Sequence, residues 1–291
     1  MAILPPGKKP FVDREEQIEQ FEELLQCAGG ARVMVITQLT KFGKSELLRK
    51  LSSRCAPPVL VSLVDADPDK GRAQDPFHFV LAVKTDLESA GMSFAETNLE
   101  MDRLLAAGIV INLSGANLGQ AHNFSIKGVE GDGPPPPPMT TEQREYVLNR
   151  AFVAFFNELI AHSQQRTIAL LIDAFEKWKP DTDIYVWFHR SFLKRLFFAA
   201  PADPPRVILI VAGQTMPVFD EFPQQLVDAR VKRSVLGPWR EPHSIDYFRQ
   251  VMQREPDAIE LSLLQAMAQL KLPPGEVASA VDAIRSGQRG S

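Results

Sequence analysis

The sequence predicts an α/β fold, a parallel β-sheet covered by helices on both faces, and three observations carry that expectation. Short apolar runs alternate with amphipathic stretches of helical length through all 291 residues. Two runs, Ile168–Ile172 and Val207–Ala212, contain no polar residue, the form of strands buried on both faces. The stretch Val33–Leu48, VMVITQLTKFGKSELL, reads as a buried strand, a loop and a helix in succession. Hydrophobic content of 45% and charged content of 23% suit a globular chain of one large domain, or one domain with a small appendage.

The first helix opens at FVDREE, with Ile18, Phe21, Leu24 and Leu25 on one face. Asp13 is the expected N-cap, Glu16 completes a capping box, and Gly29-Gly30 ends the helix. Strand Val33–Thr37 leads through the loop to a helix over 44–53, and Pro57-Pro58 introduces a second strand over 59–64. The acidic turn 65–71 lacks the further ligands and closing glutamate of a calcium loop and reads as a solvated connection. Helices follow over 75–90 and 94–107. Residues 109–139 read as an insertion, with strand-like 109–114 and 123–126 pairing as a hairpin. Its five consecutive prolines, Pro134–Pro138, have no amide donors and favour a stiff extended linker, with an SH3- or WW-type ligand as the functional alternative.

A long helix over 140–163 carries Val147, Leu148, Ala151, Phe152, Phe155 and Leu159 as a core-facing stripe. The apolar strand that follows ends on Asp173, and a helix spans 184–199. A fourth strand covers 206–212, a short helix 218–226 and a fifth strand 232–236. Helices near 244–253, 257–270 and 275–284 close the chain, so the expected division is a core over 11–242 and a small helical extension over 243–286.

Several function classes find no support. A net charge of −4 leaves no general footprint for nucleic acid, and the basic pairs at Lys194-Arg195 and 230–233 are local, so nucleic acid is not an expected partner. Cys27 and Cys55 have no metal-ligand spacing and suit a reducing, cytoplasmic compartment. Met1–Pro10 does not resemble a signal peptide, and no apolar run has the length of a membrane span. Five histidines show no HExxH spacing, and no G-x-S-x-G elbow is present. The 18 phenylalanines, among them Phe152, Phe155, Phe156, Phe197 and Phe198, point to core or interface.

Chemistry concentrates where strands meet loops. Gly43, Lys44, Ser45 and Glu46 open a helix directly after a strand and loop, the context that a phosphate-binding loop requires. The amides and positive dipole end of such a helix attract phosphate, Lys44 supplies a point charge, and Ser45 offers a hydroxyl to Mg²⁺. If the strands are parallel neighbours, Asp173 emerges at the same sheet edge and completes the metal shell, with Glu176 placed to act on an attacking water.

These motifs, in this order, resemble those of STAND NTPases, an AAA+-like branch of signal-transduction ATPases. FVDREEQIEQFEELL is similar to the helix before the phosphate loop, ITQLTKFGKSELL to Walker A and ALLIDAFEKW to Walker B. VILIVAGQ looks like the sensor strand and VLGPWREPHSIDYF like the junction after it. The resemblance implies a P-loop NTPase fold, three layers α/β/α around a five-stranded parallel sheet in the order 5-1-4-3-2. It implies ATP or ADP with Mg²⁺ as cofactors and slow hydrolysis as a switch on an effector or signalling protein, or on self-association. By position, Gly43, Lys44 and Ser45 would bind phosphate and metal, Asp173 would hold Mg²⁺, Glu176 would act on water, Gln214 would take the sensor position and Arg14 would lie near base or ribose. Three residues depart from the pattern: Gln38 stands at the first Walker A glycine, Asp13 at a glycine of the opening motif, and Gln214 where many members carry arginine. A side chain at 38 is expected to crowd the pyrophosphate or reshape the loop, and Lys41 to offset this with positive charge. The alternative function is a catalytically inactive NTPase fold serving as a protein-interaction scaffold.

Overall fold

The computed structural model describes residues 12–26, 30, 32–70, 73–106, 141–199 and 205–288. The expected hairpin and proline-rich segment of the insertion, and Cys27, lie outside the described residues. The first half of the chain forms α1 (Glu15–Leu25), β1 (Val33–Thr37), α2 (Lys44–Arg54), β2 (Leu60–Asp65), α3 (Pro76–Ser89) and α4 (Ala95–Ala106). The second half forms α5 (Thr141–Ser163), β3 (Ile168–Asp173), α6 (Asp183–Trp187), β4 (Val207–Gly213), α7 (Gln224–Arg230), β5 (Val231–Val235), α8 (Glu241–Met252), α9 (Ala258–Gln269) and α10 (Pro274–Gln288).

The five strands pair in the order β2-β3-β4-β1-β5, every pair parallel, which is the expected 5-1-4-3-2 read from the other edge. Because side chains alternate across a strand, the apolar runs divide between two cores. Val33 and Val35, Ile168, Leu170 and Ile172, and Val207, Leu209 and Val211 face the layer of α3, α5 and α6. Met34 and Ile36, Ala169 and Leu171, and Ile208, Ile210 and Ala212 face Phe21 and Leu24 of α1 and Leu47, Leu48 and Leu51 of α2. The first core is strongly aromatic: Phe79 packs edge-on against Trp178, Trp187, Phe188 and Phe192. Phe152, Phe155, Phe156, Phe197 and Phe198 are all buried, which resolves them as core. A third, smaller cluster of Trp239, Tyr247, Phe248, Leu264, Val277 and Val281 holds the C-terminal helices together.

Local chemistry moves some boundaries. Asp13 is not the N-cap of α1; Arg14 holds that position with no side-chain cap, and Asp13 is left-handed at φ 59°. A backbone of that sign is tolerated by Asp and suits the glycine that the opening motif otherwise carries. The helix expected over 218–226 begins only at Gln224, because Pro223 cannot sit inside a helix and instead caps its start. The helix expected over 184–199 passes at Phe188 into π geometry up to Phe198, where seven of the 11 side chains are buried, more than one stripe of an α-helix turns inward. No helix among the described residues is long and apolar enough to cross a membrane.

Candidate functional site

Parallel pairing brings the C-terminal ends of the strands to one edge. Thr37 is in register with Gly213 and Val235, and Asp65 with Asp173. The loop from β1 to α2 leaves at this edge. Its left-handed residues are Lys41, at φ 68°, and Gly43, at φ 84°, so the conformational demand falls beyond Gln38, at the third and fifth residues after it. Gln38 instead braces the strand ends: its amide donates to the Gly213 carbonyl (3.3 Å) and its side-chain Nε2 to the Leu236 carbonyl (2.8 Å). Its Oε1 accepts from the Leu39 amide at 2.9 Å. Phe42 turns down into the core beside α1 and α2, anchoring the loop from below. Buried Arg14 donates to the Phe42 carbonyl (3.0 Å) and to that of Gly237 (3.4 Å), tying the loop to the segment after β5. Burial lowers its pKa, opposed by Asp13 and Glu15.

Lys44 opens α2 and is buried, its ammonium donating to the carbonyls of Gln38 (2.6 Å) and Leu39 (2.8 Å). Burial lowers its pKa, and the carboxylates of Glu176 and Asp173 oppose that shift. Asp173 Oδ1 accepts the Ala174 amide at 2.9 Å, and the Ser45 hydroxyl lies close enough to favour its charged form. Burial still holds the Asp173 carboxyl above its ordinary range, with Ser45 and Ala174 pulling it down and Asp65 adding to the rise. Ala174 is itself left-handed, at φ 56°, and this turn carries the chain from β3 to Glu176. The Glu176 carboxylate accepts from both the backbone amide (2.9 Å) and the side chain (3.1 Å) of Gln214. Gly213 makes room for it, because a Cβ there would lie 2.9 Å from Glu176 Oε2 and 3.2 Å from Phe175 Cβ.

The fourth side of the site comes from the C-terminal helices. The Gly275 amide, at the start of α10, donates to the Lys41 carbonyl (2.8 Å), and the Lys41 ammonium pairs with Glu276. A Cβ on Gly275 would meet Lys41 Cβ at 2.9 Å and its carbonyl at 3.0 Å, so glycine permits this approach. Between loop, strand ends and helices lies a pocket of about 430 Å³. Of the residues expected from sequence, Lys41, Gly43, Lys44, Ser45, Glu46, Asp173 and Glu176 line it together. Gln38, Arg14 and Gln214 are not in the lining: the Gln38 carbonyl accepts from Lys44, Gln214 donates to Glu176, and Arg14 holds the carbonyl of Phe42, between the lining residues Lys41 and Gly43. Lys41 is committed to Glu276, and Glu46 to Arg49. Trp239, Tyr247 and Ala278 in the wall were not anticipated, although the first two lie within the VLGPWREPHSIDYF junction.

The donor set fits a phosphorylated ligand with a divalent ion. The free first-turn amides of α2, its dipole and the Lys44 ammonium suit an anion. Among the described residues no group of three or more His, Cys, Asp or Glu is arranged to hold a metal. An ion here would rest on Ser45 and Asp173 together with ligand and water oxygens, as Mg²⁺ commonly does.

No family model matches the sequence, and no curated protein matches it either. Solved structures do share the fold. Cdc6p from Pyrobaculum aerophilum is 13% identical with a TM-score of 0.51, over 98% of this chain and 65% of that one. The ORC2 protein of Aeropyrum pernix, in its ADPNP–ADP complexes, is 12% identical with a TM-score of 0.50, over 97% of this chain and 63% of that one. A signal-transduction ATPase with a tetratricopeptide-repeat sensor from Pyrococcus horikoshii aligns at 13% identity and a TM-score of 0.45, over 93% of this chain and 30% of that one, too loosely to bear on function. The chain thus spans just under two thirds of the length of the first two, and its fold is that of a P-loop NTPase.

Proposed function

We propose that this chain is a nucleotide-binding switch module of the STAND type, taking ATP or ADP with Mg²⁺ and acting on an effector or signalling protein or through self-association. One observation carries the proposal: a single pocket is lined by Gly43, Lys44, Ser45, Asp173 and Glu176, drawn from two strand ends distant in sequence. The shared fold with an ORC2 protein in ADPNP–ADP complexes supports the ligand class, and the order of motifs supports the STAND assignment. Cysteine usage supports a cytoplasmic setting.

In this reading the first-turn amides of α2 and the Lys44 ammonium bind phosphate oxygens, and Ser45 with Asp173 holds the metal side. Bound Mg²⁺-nucleotide supplies a phosphoanhydride bond and a metal charge that offsets its negative oxygens. Glu176, fixed by two bonds from Gln214, orients a water and accepts its proton. Lys44 must release the carbonyls of Gln38 and Leu39 to reach a phosphate, and that exchange of partners gives the loop two arrangements.

A scaffold role without nucleotide is favoured by the same bonds read the other way: Lys44 satisfied by loop carbonyls and Lys41 by Glu276. Equilibrium binding of ATP and ADP with Mg²⁺ to the native chain and to Lys44→Ala separates the two. The switch requires binding that Lys44→Ala loses, and no binding by the native chain leaves the scaffold. For an active ATPase, Glu176→Gln retains binding and loses turnover by a factor of about 100 or more.

A further inference from the structure

Helix α9 turns an uncharged, apolar face to solvent. Between 258 and 270 the one charged residue is Glu260, which is 6% exposed and held by two bonds from Arg254. Leu264 and Met267 pack into the small C-terminal cluster and seat the helix. A surface helix normally carries charge on its outer side. Here that side shows Ile259 (82% exposed), Leu263 (42%), Ala266 and Leu270 (71%), with Ser262 and Gln269 beside them. At about 100° per residue the four apolar positions fall on one narrow stripe, with the alternating spacing of a coiled-coil seam. By contrast, exposed Leu99, Tyr146 and Val153 share their groove with Glu96, Arg103 and Arg150.

A seam of this kind is covered by another helix, and its own symmetry says which. Ile259 and Leu270 lie equally far from the middle of the stripe, and so do Leu263 and Ala266. Two copies of α9 packed antiparallel about a two-fold axis therefore set each Ile259 against Leu270 of the second copy. Each Leu263 then lies over Ala266 of the second copy, a large side chain over a small one, which lets the helices approach closely. Charge favours the same direction. Exposed Asp257 precedes the stripe and exposed Lys271 follows it, so antiparallel packing brings each Asp257 near Lys271 of the second copy. Parallel packing would set like charges and like helix ends side by side.

We infer that the outer face of α9 is a self-association surface, and that its occupant is α9 of a second copy in an antiparallel, isologous two-fold pair. This gives the self-association named above a place in the fold. It rests on α9 alone and not on nucleotide binding, since α9 supplies no residue to the lining of the strand-end pocket. One helix pair is small beside the roughly 1,200–2,000 Å² of a standard interface, so the dimer is weak and concentration-dependent.

Sedimentation equilibrium of the full chain across the micromolar range tests this. The native mass should rise from 32.4 kDa toward twice that value. Ile259→Glu and Leu270→Lys, each alone, should weaken association at least about tenfold, because two-fold symmetry repeats each change at both ends of the pair. Combined in one chain, the two substitutions should restore most of it, since each new carboxylate then faces an ammonium of the second copy. Within one copy the two positions are about 16 Å apart along the helix, so no internal ion pair mimics that rescue. Both positions are exposed, and all three variants should melt as the native chain does. A native chain that stays at 32.4 kDa throughout overturns the inference and leaves the nucleotide reading as it stood. A dimer untouched by either single variant overturns it too, because another face then holds the copies together. Association lost in both single variants and not recovered in the combined one overturns the antiparallel pairing on which the inference rests.

Discussion

At Asp173, burial works against charge, and the nearby Ser45 hydroxyl and the bond from the Ala174 amide recover only part of the loss. The folded protein holds this proton above the carboxylate's ordinary range, so protonation favours folding. The stability so gained is complete below the unfolded pKa and is lost as pH rises through the folded one. Asp173→Asn removes the penalty while keeping an acceptor for Ser45. It should raise the melting temperature at about pH 7, with the advantage shrinking to nothing as pH falls below the carboxylate range. Thermal melts across that range check it, and identical curves near neutrality would show that the carboxylate is not a strained group. The same substitution should weaken Mg²⁺-dependent nucleotide binding, as expected of a residue placed for function at some expense of stability. At this scale Lys44, Ser45, Asp173 and Glu176 were legible in the sequence, because each follows or ends an unmistakable strand and residue type names the chemistry. Gln38 was legible only as an anomaly. Its partner, the Leu236 carbonyl, is 198 positions away, and no local pattern relates the two.

Strands were readable at the scale of elements because burial on both faces leaves continuous apolar runs, as in β3 and β4, where only the last residue of β3 is not fully buried. Helix boundaries were less so: Pro223 delays α7, and the crowded aromatic face of Phe188–Phe198 widens a helix into π geometry. The contact least visible in sequence is that of α10 with the loop between β1 and α2, made by residues 235 apart. Gly275 permits that contact through its missing side chain, whereas the Lys41–Glu276 pair is exposed and contributes about 0–1 kcal/mol. Gly275→Ala should therefore push the first turn of α10 off Lys41 at a cost of about 1–3 kcal/mol. Amide exchange at Glu276 and Val277 should quicken in that variant and stay near native in Glu276→Gln, which removes only the ion pair. Equal exchange in both would mean that the ion pair, not the close backbone approach, seats the helix.

Over the whole molecule, the pocket lies where two packing units meet. The sheet and its flanking helices supply Lys44, Ser45, Asp173 and Glu176, and the small cluster around Trp239, Tyr247 and Phe248 supplies the opposite wall. Besides the chain itself, the units are joined here by the Gly275–Lys41 bond, the Lys41–Glu276 pair and the Arg14 bonds to Phe42 and Gly237. A ligand held by both walls bridges the units and stabilises the folded state by mass action, about 2.7 kcal/mol at about 100 times its Kd. At about 2–4 °C per kcal/mol, saturating Mg²⁺-nucleotide should raise the melting temperature by about 5–10 °C. Bridging also fixes where the protection appears: amide exchange should slow in α8 and α10 as well as in α2, since closing the pocket restrains all three. Lys44→Ala should abolish both effects. Protection confined to α2 would mean that the ligand touches the β1–α2 loop alone, and the proposed switch would then not involve the C-terminal helices.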